Sequence, residues 1–150
     1  MKAGKLVILM LEDDENDILF VQRATERCGA GHTVNAVHNG VQGIEYLRGE
    51  GPYADRQKFP LPNVILTDLK MPEMDGFAFL RWLRSHPECG VIPSIVFSSS
   101  PLDVDVREAY RLGANSYITK PRDLNELVDT LRATYEYWSR CECPRMPNGC

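Results

Sequence analysis

The chain has no surplus of positive charge. Seventeen Lys and Arg stand against 21 Asp and Glu, a formal net charge of −4, so no overall basic field would hold it on a phosphate backbone. It also lacks a long hydrophobic run. The apolar segment Leu6 to Leu11 stops at Glu12, too short for a signal-peptide core or a membrane span, and the expected location is the cytoplasm, with neither nucleic acid nor membrane as partner. Histidine is scarce: His32, His38 and His86 are the three, and none lies near Cys141, Cys143 and Cys150. Those tail cysteines therefore have no fourth soft ligand for a tetrahedral metal shell, and free thiols in a loose tail are expected. No internal repeat is evident. What remains is 150 residues, 43% hydrophobic and 25% charged, enough for one domain that buries a core without staples.

Short apolar runs alternate with longer amphipathic stretches, the pattern of an α/β fold whose parallel sheet is covered on both faces. Five strands are expected, Lys5 to Leu11, Thr33 to Val37, Asn63 to Thr67, Ser94 to Phe97 and Ser116 to Thr119. Five helices separate or follow them. Asp14 caps the first, with Asp17 in its opening turn and Phe20, Val21, Ala24 and Cys28 on one face. Asn39 caps the second, which carries Val41, Ile44, Tyr46 and Leu47. The third runs from about Asp75 with Phe79, Leu80 and Leu83 inward and stops before Pro87. The fourth spans about Leu102 to Leu112 and is closed by Gly113.

The fifth helix, capped by Asp123, repeats Leu124, Leu127, Val128, Leu131, Tyr135 and Trp138 at helical spacing. Its last turn, with Tyr135, Tyr137 and Trp138, reads either as core or as an aromatic patch for a partner. Residues 49–62 hold glycines, prolines and charges without a period and form a long loop before the third strand. The domain is expected to cover residues 1–140, with 141–150 as a Cys- and Pro-containing tail.

In a doubly wound sheet, function gathers at the carboxyl ends of the strands. The first strand ends in Glu12-Asp13-Asp14, the third in Thr67-Asp68, the fourth in Ser98-Ser99-Ser100 and the fifth in Lys120-Pro121. With strand order 2-1-3-4-5, Glu12, Asp13 and Asp68 converge on one pocket. Three carboxylates that close repel one another unless a cation joins them. A hard, all-oxygen site with room for water suits Mg²⁺, with phosphate as its second ligand. Lys120 and the Ser98 hydroxyl then suit a phosphoryl dianion on Asp68. An X-Pro bond can be cis in a tight turn, and at Lys120-Pro121 that would aim the lysine into the pocket.

At this point the sequence resembles the response-regulator receiver domains of two-component signalling, with their flavodoxin-like fold. The matching residues are Leu11-Glu12-Asp13-Asp14, the stretch Thr67-Asp68-Leu69-Lys70-Met71-Pro72-Glu73-Met74-Asp75-Gly76, Ser98, and Gly113-Ala114-Asn115-Ser116-Tyr117-Ile118-Thr119-Lys120-Pro121. The resemblance covers about residues 5 to 138. It implies that Asp68 is the phosphoacceptor, that Asp13 is a direct Mg²⁺ ligand with Glu12 acting through water, and that the backbone carbonyl of Lys70 completes the protein's share of the shell. It further implies that Lys120 and Ser98 contact the phosphoryl group.

Tyr117 matches an aromatic switch position, although a strand tyrosine also packs for its own sake. Lys70 and Ser100 are candidates for tuning the hydrolysis rate. Ser98 stands where Thr is commoner and keeps the hydroxyl.

The long loop, the acidic Glu12-to-Asp17 opening and the aromatic end of the fifth helix are similar to the small phytochrome-associated receivers. That likeness implies a phytochrome-like sensor histidine kinase or a histidine phosphotransfer protein as donor, and a downstream protein partner. It also implies a homodimer through the fourth helix, fifth strand and fifth helix, with Arg107, Tyr110, Arg111 and Asp129 as contact residues. With the chain ending near residue 150, no output domain is expected to follow, so output would be a protein contact or phosphate relay. A dehalogenase-type phosphohydrolase would need a second acid where Lys70 stands, and a flavodoxin would offer hydroxyls and amides where the first strand ends in carboxylates.

Overall fold

The computed structural model describes residues 4–145. Five strands form one sheet in the order β2-β1-β3-β4-β5, every pair parallel. They are β1 Val7–Leu11, β2 Thr33–Val37, β3 Val64–Thr67, β4 Ser94–Ser98 and β5 Ser116–Thr119. The helices are α1 Glu15–Arg27, α2 Gly40–Arg48, α3 Gly76–Ser85, α4 Pro87–Gly90, α5 Asp103–Arg111 and α6 Leu124–Arg140. The single turn α4 was not expected. Pro87 opens it at a position where a missing N–H costs nothing, and the fourth and fifth helices read from the sequence are accordingly α5 and α6.

Strand side chains alternate between two cores, which is why the central strands read as unbroken apolar runs. Leu9, Leu11, Ile65 and Val96 meet Leu47, Phe79, Leu80 and Leu83 on one face. Ile8, Met10, Val64, Leu66, Ile95 and Phe97 meet Ile18, Val21, Leu127 and Leu131 on the other. Asp14, Asn39, Asp75 and Asp123 each cap a helix by accepting a backbone N–H. Among the described residues no helix is long and apolar enough to cross a membrane.

Two expectations change and one open alternative is decided. Val41 lies exposed, because the inward face of α2 is instead made by Gly40, Gly43, Tyr46 and Leu47. A side chain at Gly43 would press on Leu11 and Phe79, so the missing Cβ is what lets α2 sit close to the sheet. Tyr135 is no surface patch. It is buried, and its hydroxyl is 2.8 Å from Thr25 Oγ1, while of the three aromatics in that turn only Tyr137 is exposed. Among the described residues no peptide bond is cis, so Lys120-Pro121 is trans.

The segment before β3 is a long loop as read, but a packed one. The Arg56 guanidinium donates to the carbonyls of Tyr46 and Leu47 at 2.7 Å and of Phe59 at 3.2 Å, closing the carbonyl-rich end of α2. Tyr46, Tyr53 and Phe59 gather their rings beside it. In the tail, Cys141 and Cys143 carry free thiols; Cys150 lies outside the described residues.

Candidate functional site

Register places the reactive residues. Leu11 pairs with Thr67, so Glu12 and Asp68 leave the sheet side by side, and the Asp68 N–H donates to the Leu11 carbonyl at 3.0 Å. Ser98 pairs with Thr119, and the Lys120 N–H donates to the Ser98 carbonyl at 2.8 Å. Strand pairing therefore delivers Glu12, Asp13, Asp68, Ser98 and Lys120 to one end of the sheet. A Cβ at position 76 would collide with the Asp68 carbonyl oxygen. Gly76 thus lets α3 begin directly against the turn that carries Asp68.

One oxygen from each of Glu12, Asp13 and Asp68 lies within 4.8 Å of the others, Glu12 buried, Asp68 partly so and Asp13 exposed. Asp68 Oδ1 accepts the Leu69 N–H at 2.7 Å, which leaves Oδ2 facing the Lys120 ammonium at 3.0 Å. Lys120 Nζ also reaches Glu12 Oε1 at 2.7 Å and Asp17 Oδ2 at 2.7 Å. Burial alone would lower its pKa, but the hydrogen bonds to Asp17, Glu12 and Asp68 outweigh that and raise it.

Burial acts on Glu12 in the opposite sense. Desolvation pushes its carboxyl from 4.5 up to about 7, with the neighbouring Asp68 charge adding to the rise and the Lys120 contact only partly offsetting it. Four carboxylates, Glu12, Asp13, Asp17 and Asp68, stand around the one Lys120 ammonium, so the cluster is short of positive charge. An all-carboxylate donor set with that deficit fits a hard divalent cation.

Ser98 is buried, and its Oγ accepts the Ser100 N–H at 3.1 Å. Tyr117 is partly buried, with its hydroxyl donating to the Ser100 carbonyl at 2.8 Å. Ser100 Oγ in turn donates to Asp105 Oδ2 in the first turn of α5 at 2.5 Å. The loop after β4 therefore ties the Ser98 hydroxyl to Tyr117 and to α5. Lys70 is exposed just beyond Asp68.

One participant escaped the sequence reading. Asp17 looks like an ordinary first-turn acid, yet it grips Lys120 from α1. Its place in the first turn of α1 carries no local sign of this contact, because Lys120 lies 103 residues away.

Comparison with known proteins agrees with this geometry. Residues 8–132 match the family described as the response regulator receiver domain. The chain is 31% identical to the response regulator Rcp1 of Synechocystis over 132 residues, 88% of each protein. The Mn²⁺-bound structure of Rcp1 superimposes with a TM-score of 0.80 at 30% identity, covering 93% of this chain and 99% of that one. A phosphorylated cyanobacterial phytochrome response regulator, RcpA, does so with a TM-score of 0.84 at 33% identity, covering 95% and 100%. The chain belongs to the response regulator receiver domain family of two-component signalling.

Proposed function

We propose that this protein is switched by phosphorylation of Asp68. The carrying observation is that Glu12, Asp13 and Asp68 share one position with a single lysine across the mouth. Asp68 Oδ2, held forward by the Leu69 N–H on its sister oxygen, is the nucleophile. It forms a P–O bond as the P–N bond of a donor phosphohistidine breaks, and the released imidazole takes up a proton from solvent.

Asp13 and Asp68, the Lys70 carbonyl and, through water, Glu12 would hold Mg²⁺. Bound there, the ion would neutralise charge on the transferring phosphoryl oxygens. Lys120 supplies a fixed ammonium to the same oxygens. The Ser98 hydroxyl, whose oxygen accepts the Ser100 N–H and whose proton is not used by that bond, turns its proton to the phosphoryl group, and Tyr117 loses its place on the Ser100 carbonyl as that loop moves, altering the face around α5 and β5. Lys70 and Ser100 stand where they can tune hydrolysis.

Support for the partners comes from the relatives. RcpA is a phytochrome response regulator, and a phytochrome-like histidine kinase, directly or through a histidine phosphotransfer protein, is the proposed donor to this chain in the cytoplasm. Leu102 at the cap of α5 and Val104 and Tyr110 on it are exposed apolar groups suited to a dimer through α5, β5 and α6. The test is incubation with Mg²⁺ and a small phosphodonor, followed by intact-mass measurement of the protein and of Asp68→Asn. One added phosphate on the first and none on the second is expected. No phosphate on the unaltered protein would refute the proposal.

A further inference from the structure

An ammonium has three N–H donors, and Lys120 spends all three on carboxylates: Glu12, Asp17 and Asp68. Glu12 and Asp68 belong to the group that shares the metal position, whereas Asp17 does not. Asp17 is also held firmly. Its neighbour Ile18 is buried in the core, and its backbone N–H is donated to the capping carboxylate of Asp14 at 3.2 Å. The helix thus fixes where this carboxylate stands.

A phosphoryl group on Asp68 changes the demand on Lys120. The lysine can exchange its contact with Asp68 Oδ2 for one phosphoryl oxygen, but it reaches a second only by leaving Glu12 or Asp17. Asp17 is the more exposed of those two side chains, at 35% against 1%, so water can replace its contact at less cost. If it stays, its charge remains within two hydrogen-bond lengths of Asp68 Oδ2 and repels the phosphoryl dianion.

Resting on the phosphorylation of Asp68 proposed above, we infer that Asp17 is a positioning residue that holds Lys120 in the unphosphorylated arrangement and weakens binding of a phosphoryl group. It acts through the lysine and by charge. Two further acids at the start of α1 provide contrast. Asp14 is committed to the helix cap, and Glu15 faces His38, 2.7 Å from its Nε2.

The test is the affinity for beryllofluoride, a phosphoryl mimic, in Mg²⁺, followed by fluorine NMR on the full chain. Asp17→Asn should bind roughly five-fold more tightly, the factor that goes with the upper end of a partly exposed ion pair. Asp17→Glu, which keeps the charge, should stay near the unaltered protein. Glu15→Gln removes a first-turn charge without touching Lys120 and should leave the affinity unmoved, separating this role from a general effect on α1. Equal or weaker binding by Asp17→Asn overturns the inference while leaving phosphorylation of Asp68 standing. No beryllofluoride binding by the unaltered protein, together with no phosphate uptake, overturns both.

Discussion

Glu12 should make the metal-free protein less stable as pH rises through neutrality. Its side chain is 1% exposed, and burial pushes its carboxyl up from 4.5 to about 7, so the folded chain holds this proton more tightly than the unfolded chain does. The linked stabilisation is complete below the unfolded value and is lost as pH rises through the folded one. At ~1.4 kcal/mol per pKa unit, the loss between about pH 4.5 and 7.5 amounts to about 3 kcal/mol.

His32 works the other way. Burial lowers its pKa, and its Nδ1 accepts the Leu6 N–H, so it contributes stability that is lost on acidification. The difference between the protein and Glu12→Gln therefore isolates Glu12. Urea denaturation in EDTA from about pH 5 to 8 should show the variant gaining on the unaltered protein by about 2.5 kcal/mol across the range. Excess Mg²⁺ should restore most of the loss at the alkaline end, since a cation at the cluster replaces the missing positive charge. A difference that stays constant with pH would refute the reasoning.

Thr25 has one hydroxyl proton, which goes to the Val21 carbonyl at 2.8 Å, so the buried Tyr135 hydroxyl must be the donor to Thr25. Thr25→Val strands that donor and should cost about 2 kcal/mol. Tyr135→Phe should cost only about 1, and the double variant less than the sum of the two. Thermal or urea melts check this, and simple additivity would count against the assignment. For the proposed dimer, Val104→Arg on α5, at a side chain 69% exposed, should leave folding intact and lower the dimer fraction with beryllofluoride in light scattering. A strict monomer with and without the mimic would remove the dimer altogether.

The placement of the candidate site was legible because it sits at strand ends, where apolar runs mark the register. Glu12 and Ser98 follow such runs directly, Asp68 follows one after Thr67, Lys120 follows the more polar Ser116–Thr119 strand, and parallel pairing brings them together. The caps Asp14, Asn39 and Asp123 were legible for a similar reason, since each acts on backbone within three residues. Val41 misled because its hydrophobicity outweighed two glycines whose use is the absence of a side chain, a packing fact that no local period carries. Asp17 was missed because its partner lies 103 residues away, and the turn at Pro121 needed no cis bond to bring Lys120 to the acids. Tyr135 was ambiguous until its partner Thr25 on a different helix came into view.

Arg56 binds the end of α2 through a cation that keeps its charge at any pH the protein will meet. Burial makes the Glu12 carboxyl sensitive to pH near neutrality, whereas this staple keeps its charge there. The shape of the segment before β3 therefore rests on contacts separate from the acid cluster, and it does not depend on the charge state of that cluster.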